Sequence, residues 1–341
     1  MSEGPYVVGG PSSPRPGPSL PLGMTRPLIV LIVLFVVAFF LAITFGATPV
    51  SLRAAIDGDV TARTILFGIR FPRVVTGALV GAILAVAGLT FQTLLRNPLA
   101  DPFVLGVSGG AAAGAAMATA FGWARIAGVV PVVAFAGALV ATAAVFLLAR
   151  RGSHTDPTRL LLSGLVLNAL FSAIILISFA LSRQSDLTAA LRWMMGTLFG
   201  VSWTDAALLA ALLIVGMIAL AIMANDLRML VFGEDDARSR GVDVERVKLA
   251  GFVVASIITG AAVAVSGIIG FVGLLVPHLI RLIWRRDFRF LLPLCALGGA
   301  TLLLVSDVVS RVIVTSVELP ISAFTALFGV PFFLSLLRRN R

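Results

Sequence analysis

Asn225–Lys248, NDLRMLVFGEDDARSRGVDVERVK, holds 11 of the chain's 42 charged residues and lies between two long apolar runs. So charged a segment in so apolar a chain needs contact with water. Its first part also carries Met229, Leu230, Val231 and Phe232, an apolar side that water disfavours. Residues 228–241 therefore read as one or two short helices on the water side of the membrane. A merely solvated loop is the plainer alternative.

The surroundings decide the class. The 341 residues are 59% hydrophobic and 12% charged, with a mean hydropathy of +1.07. Soluble domains carry about 25% charged residues. The composition fits an all-α polytopic membrane protein, whose backbone polar groups are satisfied inside helices. The net charge of +10 does not indicate a nucleic-acid partner, because the arginines are scattered between apolar runs. Cys295, the one cysteine, lies inside such a run and permits no disulfide within the chain.

Residues 1–26, rich in Pro, Gly and Ser, read as a disordered cytoplasmic tail. Residues 27–341 read as a single transmembrane domain. Apolar runs fall near 28–47, 71–95, 103–121, 128–149, 160–181, 206–224, 249–269, 271–284, 290–312 and 320–337, which predicts ten spans. The eighth, 14 residues, would reach only ~21 Å against a ~30 Å core, so it must be sunk among neighbours or be part of a broken helix. With the N-terminus inside, cytoplasmic segments hold 18 of the basic residues and outside segments hold 8. By the positive-inside rule both termini and 226–248 are then cytoplasmic.

An internal repeat supports this layout. Gly81–Gly88 reads GAILAVAG and Gly260–Gly267 reads GAAVAVSG, each followed ten residues later by a proline, Pro98 and Pro277, all at an offset of 179. An odd number of spans between the copies makes the repeat inverted, as in many transporters. Simple helix packing accounts equally for the glycines.

No catalytic constellation is present. The chain has no HExxH, no GxSxG and no Cys/His cluster, and its single lysine, Lys248, is not in a P-loop. Asp307 is the one carboxylate deep in an apolar run, and Arg311 four residues on suits a structural helical ion pair better than a proton relay. His278 reads as structural. Trp193–Gly196 and Phe199 read as core packing, with a soft ligand wall as the alternative. No cofactor is implied. A surface handle without an engine or ion-coupling carboxylates suggests a conduit driven by a separate ATPase.

Several motifs carry a more specific resemblance: Arg70-Phe71-Pro72-Arg73; Gln92 with Asn97-Pro98-Leu99-Ala100-Asp101-Pro102 and Leu105–Ala111; Gly233-Glu234, Ala237 and Gly241-Val242; Gly270–Leu274, Pro277-His278 and Arg281; Asp287, Arg289, Pro293, Asp307, Arg311, Glu318-Leu319-Pro320 and Gly329–Phe333. Over about residues 28–338 the chain resembles the permeases of the FecCD family, subunits of ABC importers for vitamin B12, haem and iron–siderophore complexes. Two positions depart from the pattern: Phe288 stands in place of a usual His, and Arg240 in place of a usual Leu.

The resemblance implies a type II ABC importer permease: an inner-membrane homodimer with two cytoplasmic ATPase subunits and a periplasmic or lipid-anchored substrate-binding protein. It implies ATPase coupling through Leu230, Gly233, Glu234, Asp235, Ala237, Arg238 and Gly241. It implies a cytoplasmic gate from Asn97, Pro98 and Leu99 together with Thr155–Thr158, including Pro157 and Thr158. It further implies that Arg70, Arg73 and Arg311 dock glutamates of the binding protein, where snorkelling arginines would otherwise be the simpler reading. The competing class is an ATP-independent secondary transporter or channel for a hydrophobic solute.

Overall fold

The computed structural model describes residues 22–46, 52–152, 154–284, 287–314 and 318–339. Most of the proposed tail, and Arg15, Arg285, Arg286 and Arg341 of the charge count, lie outside the described residues.

The first described element is α1 (Leu22–Thr44), which takes in residues 22–26 of the expected tail. The short α2 (Leu52–Ile56) and α3 (Val60–Arg63) follow, and α3 runs through a π-helical stretch, Thr64–Arg70, into α4 (Phe71–Leu94). Next come α5 (Val107–Ala120) and α6 (Val129–Ala149), then a two-stranded hairpin, β1 (Arg150–Arg151) and β2 (His154–Thr155). After it stand α7 (Pro157–Leu181), α8 (Gln184–Met194) and α9 (Trp203–Ile222). The charged stretch forms α10 (Ala224–Phe232) and α11 (Glu234–Ser239), and the chain ends with α12 (Val244–Ser266), α13 (Val272–Ile283), α14 (Phe288–Val312) and α15 (Ile321–Arg339).

Each of the ten apolar runs contains a helix, and seven of these are long and apolar enough to cross a membrane. The other three are α5, α13 and α15. At 12 residues, α13 spans only ~18 Å, as the run length predicts. The shortness of α5 was not legible from the run. Its first residues are occupied by a turn-rich loop that ends at Gly106 with φ +82°, a left-handed conformation suited to glycine.

The central element is α4, buried along almost its whole length. A Cβ at Gly81 would overlap the carbonyl of Gly299 in α14, and one at Gly88 would overlap that of Gly273 in α13. The glycines therefore let backbones touch, which is how helices associate where lipid removes the hydrophobic drive between them. Large side chains fill the remaining space: Phe91 meets Phe252 of α12 edge-on at 5.5 Å.

The repeat is inverted, as read. Arg96, just past the end of α4, and Lys248, near the start of α12, both reach Glu234, so the two helices run antiparallel. The prolines do not share a setting. Pro98 lies in a turn, Pro277 lies inside α13, and Gly267 ends α12 at φ +67° while Gly88 stays within α4.

Outward faces of α1, α7 and α9 expose Ile29, Val33 and Phe40, Leu165, Val166 and Ile177, and Ile214, Val215 and Ile222. Apolar surface so extensive requires lipid or protein cover.

Candidate functional site

Residues 226–248 fold as a helical handle, broken where the sequence demands it. Gly233 adopts φ 137°, ψ 153° between α10 and α11, a conformation open essentially to glycine alone. Gly241, at φ +82°, ends α11 as its N–H donates to the Arg238 carbonyl at 2.9 Å. Leu230 and Ala237 are buried and anchor the two helices, while Val231 and Phe232 are exposed. The apolar side expected from the sequence is thus divided, part of it inward and part exposed.

Glu234 opens α11 and is the electrostatic hub. Lys248 Nζ stands 2.8 Å from it, Arg238 3.4 Å and Arg96 3.6 Å. Lys248 is buried and also donates to the Thr155 carbonyl at 2.8 Å. Glu245 accepts from the Thr155 N–H at 2.9 Å and lies 3.5 Å from Lys248. His154 Nδ1 lies 3.4 Å from Arg238 Nη2 and 3.8 Å from Glu245. Burial of a lysine is tolerated when it is both paired and hydrogen-bonded, and Lys248 meets both conditions. Asp235, by contrast, has an almost fully exposed side chain with a single long pair to Arg238.

Both predicted gate segments hang from this hub. Beyond α4, Asn97 N–H donates to the Gln92 carbonyl at 3.1 Å and Arg96 N–H to Thr93 at 3.3 Å. This is a Schellman ending with an arginine at the left-handed position, φ +48°. Asn97 Oδ1 then accepts from the Leu99 N–H at 2.9 Å, the local turn its side chain favours, and Pro98 and Leu99 are exposed. On the other side the β1–β2 hairpin leads into α7. There Asp156 caps the Thr158 N–H at 2.8 Å, and Pro157 takes the first helical position. Arg96 joins the first segment to α11, and Thr155 joins the second to α12.

The chain between Leu99 and α5 is also fixed. Asn168 of α7 donates to the Phe103 carbonyl at 3.0 Å. Asp101 is buried and accepts from the Phe103 N–H at 2.8 Å. Burial pushes its carboxyl up to about 6, with that hydrogen bond pulling the other way.

At the opposite end of α4, ~34 Å away by helical rise, stand Arg70, Arg73 and Arg311. These are the three arginines that the family resemblance gives a docking role, and in this chain all three are buried. Arg73 donates to Asp307 at 2.9 and 3.0 Å and to Glu318 at 2.7 Å. Arg311 pairs with Asp307 at 2.9 Å and donates to the Ala42 carbonyl at 3.1 Å. Arg70 donates to the Ile43 carbonyl at 3.1 Å. The cluster ties α1, α4 and α14 together. The Asp307–Arg311 pair is the structural one its spacing suggested.

His278 packs against Phe332 and Phe333 of α15, ring centroids 6.0 and 5.6 Å away, and no metal-binding group of three ligands occurs among the described residues. Trp193 packs against the α5–α6–α12 cluster, whereas Phe199 is exposed. The sequence reading missed Lys248, Glu245, Thr155 and Arg96 as connectors. One signal was available: a lone lysine in an arginine-rich chain, three residues after a glutamate.

The model of the FecCD transport family matches residues 34–339. The cobalamin import system permease protein BtuC of Halobacterium salinarum is 44% identical over 279 residues, 82% of this chain and 74% of its own length. The hemin transport system permease protein HmuU of Yersinia pestis is 38% identical over 328 residues, 94% of this chain and 98% of its own. A solved inward-facing ABC transporter of the metal-chelate type superposes with a TM-score of 0.81 at 30% identity, covering 92% of this chain and 99% of that one. A helical membrane body with a handle gripping two loops, matched along nearly its whole length, belongs to the FecCD transport family.

Proposed function

We propose that the chain is the inner-membrane permease subunit of an ABC importer that carries a bulky metal chelate, of the iron–siderophore, haem or cobalamin kind, into the cytoplasm. It works as a homodimer with two ATPase subunits on the α10–α11 face and a substrate-binding protein on the opposite face, both termini cytoplasmic. ATP hydrolysis belongs to the partner subunits. The observation that carries this reading is the hub at Glu234. One short surface helix is bonded through Arg96 to the loop Asn97–Leu99, and through Lys248 to the segment Thr155–Thr158.

A push on α11 therefore moves both loops at once. Leu230 and Ala237 hold the handle to the body, while exposed Val231, Phe232, Asp235 and Asp236 offer a partner an apolar edge beside an acidic tip. Such a displacement opens or closes the cytoplasmic mouth in step with nucleotide binding, which is alternating access. The outer arginine cluster acts as an internal brace, with half-exposed Glu318 as its contact to the outside.

The test is uptake into vesicles containing the purified chain with and without its ATPase. Uptake only with both ATPase and ATP supports the reading. Full-rate uptake by the chain alone on an ion gradient replaces it with the secondary-transporter alternative.

A further inference from the structure

Beside the handle, the ends of α4, α10, α13 and α14 enclose a cavity of about 330 Å3, at the lower end of the ~300–1,000 Å3 typical of small-molecule sites. Its wall includes Arg96, Arg228, Arg281, Gln92, Thr93 and Phe288, and its one carboxylate is Asp287. Arg281 is half-buried and donates to Gln92 Oε1 at 3.0 Å and to Thr93 Oγ1 at 3.4 Å, both neutral acceptors. No carboxylate pairs with Arg281 among the described residues. A guanidinium has five N–H donors, so its donor capacity exceeds these two bonds. Arg228 meets Asp287 at 3.0 Å, with both side chains about half exposed. Arg96 is shared with Glu234 at 3.6 Å.

The first turn of the 25-residue α14 opens onto the same cavity through Phe288, and Asp287 places no side-chain cap on it. Uncapped N–H groups and the positive end of a helix add to the three cations. Exposed Val231 and Phe232 give its lining an apolar collar, and exposed Leu282 and Ile283 follow Arg281 in sequence. Cations within such a collar match the headgroup level of a bilayer.

We propose that this cavity binds a phosphate group, held by Arg281 in its wall and by Arg228 and Arg96 at its mouth, and presented by an anionic phospholipid or by a phosphate-bearing solute. The site adjoins the loop at Pro98, and its phosphate chemistry does not depend on which chelate is carried.

The experiment uses the full-length chain, delipidated in uncharged detergent, with its melting temperature followed during titration with phosphatidylglycerol, phosphatidylcholine or inorganic phosphate. Phosphatidylglycerol is expected to raise the melting temperature, and phosphatidylcholine is not. Arg281→Gln is expected to weaken the half-saturation point ~10-fold or more, the effect of losing one charge-assisted pair. Because Arg281→Gln also removes the bonds to Gln92 and Thr93, Arg228→Gln, at a half-exposed position, serves as the second variant with the same expectation. An arginine-dependent shift from inorganic phosphate alone upholds the site and assigns it to a soluble ligand. Shifts of equal size in both variants and the parent, or protection only when the ATPase subunit is added, overturn the proposal.

Discussion

Lys248 Nζ lies 2.8 Å from Glu234 Oε1, and that one contact joins the surface helix α11 to the buried start of α12 and, through the Thr155 carbonyl, to the entry of α7. Its neighbour Asp235 is 99% exposed and shares none of these ties. The two acidic residues, adjacent in sequence, are therefore predicted to behave differently. Lys248→Met takes the buried cation from Glu234 and Glu245 and leaves Glu234 its longer pairs to Arg238 and Arg96, at a stability cost of roughly 1–3 kcal/mol. Glu234→Gln and Lys248→Met should leave the chain inserted and the ATPase active while uptake per ATP falls. Asp235→Asn should change only the affinity for the ATPase. Uptake per ATP in vesicles checks this. Normal coupling in Lys248→Met would remove the hub from the mechanism.

Arg96 permits a separation of stability from coupling. Its left-handed φ of +48° costs a non-glycine residue about 1 kcal/mol or more. Arg96→Gly relieves that strain but adds roughly 0.5–1 kcal/mol of unfolded-state freedom, and the half-exposed pair with Glu234 contributes under about 1 kcal/mol. The net melting point should hardly move, while the segment Asn97–Leu99 loses its tie to α11 and coupling drops. Arg96→Lys should retain both the strain and the coupling. A large loss of melting temperature in Arg96→Gly would show that the residue is structural instead.

What the sequence made legible follows from what each residue advertises. Membrane spans are written in long apolar runs, and the positions of α1, α4, α6, α7, α9, α12 and α14 match them. The handle is written in charge density, and its break at Gly233 in a glycine. Partnerships across hundreds of residues are not written locally. Arg73 finds Asp307 and Glu318 at separations of 234 and 245 residues. An arginine beside a span end reads the same whether it is buried or free, so the local sequence does not announce these internal pairs. Likewise nothing around Lys248 announces that its partner is a backbone carbonyl 93 residues away.

Asp101 gives the molecule a pH signature. Its carboxyl, buried in the loop after α4, rises to about 6 from 3.8. The folded state thus holds its proton more tightly than the unfolded one. Stability is fullest below the unfolded value, declines as pH rises towards 6, and carries the whole cost of the buried charge above that. A shift of this size corresponds to on the order of 3 kcal/mol at neutral pH. Asp101→Asn keeps an oxygen for the Phe103 N–H and removes the charge, so it should raise the melting temperature at pH 7.5 and flatten its dependence between pH 5 and 7. An unchanged slope in the variant would assign that dependence to other groups.

The far-end cluster yields the last prediction. Asp307 is fully buried between Arg73 and Arg311, whereas Glu318, the other partner of Arg73, is half-exposed. Arg73→Met leaves Asp307 with one cation, at a cost of about 3–5 kcal/mol. Glu318→Gln removes only a rim charge, worth roughly 0.2–1 kcal/mol. Adding Asp307→Asn to Arg73→Met should deepen the loss, because buried Arg311 then loses the carboxylate it pairs with. Melting of the four proteins in detergent checks the order. Charge reversal at Arg73 would accordingly collapse the brace before it could report on docking, so contact with a binding protein is better probed by Glu318→Gln. That variant should melt within a few degrees of the parent while changing the salt dependence of binding-protein association. If Arg73→Met instead melts like the parent, the buried pair does not brace this end, and the arginine is free to meet a partner.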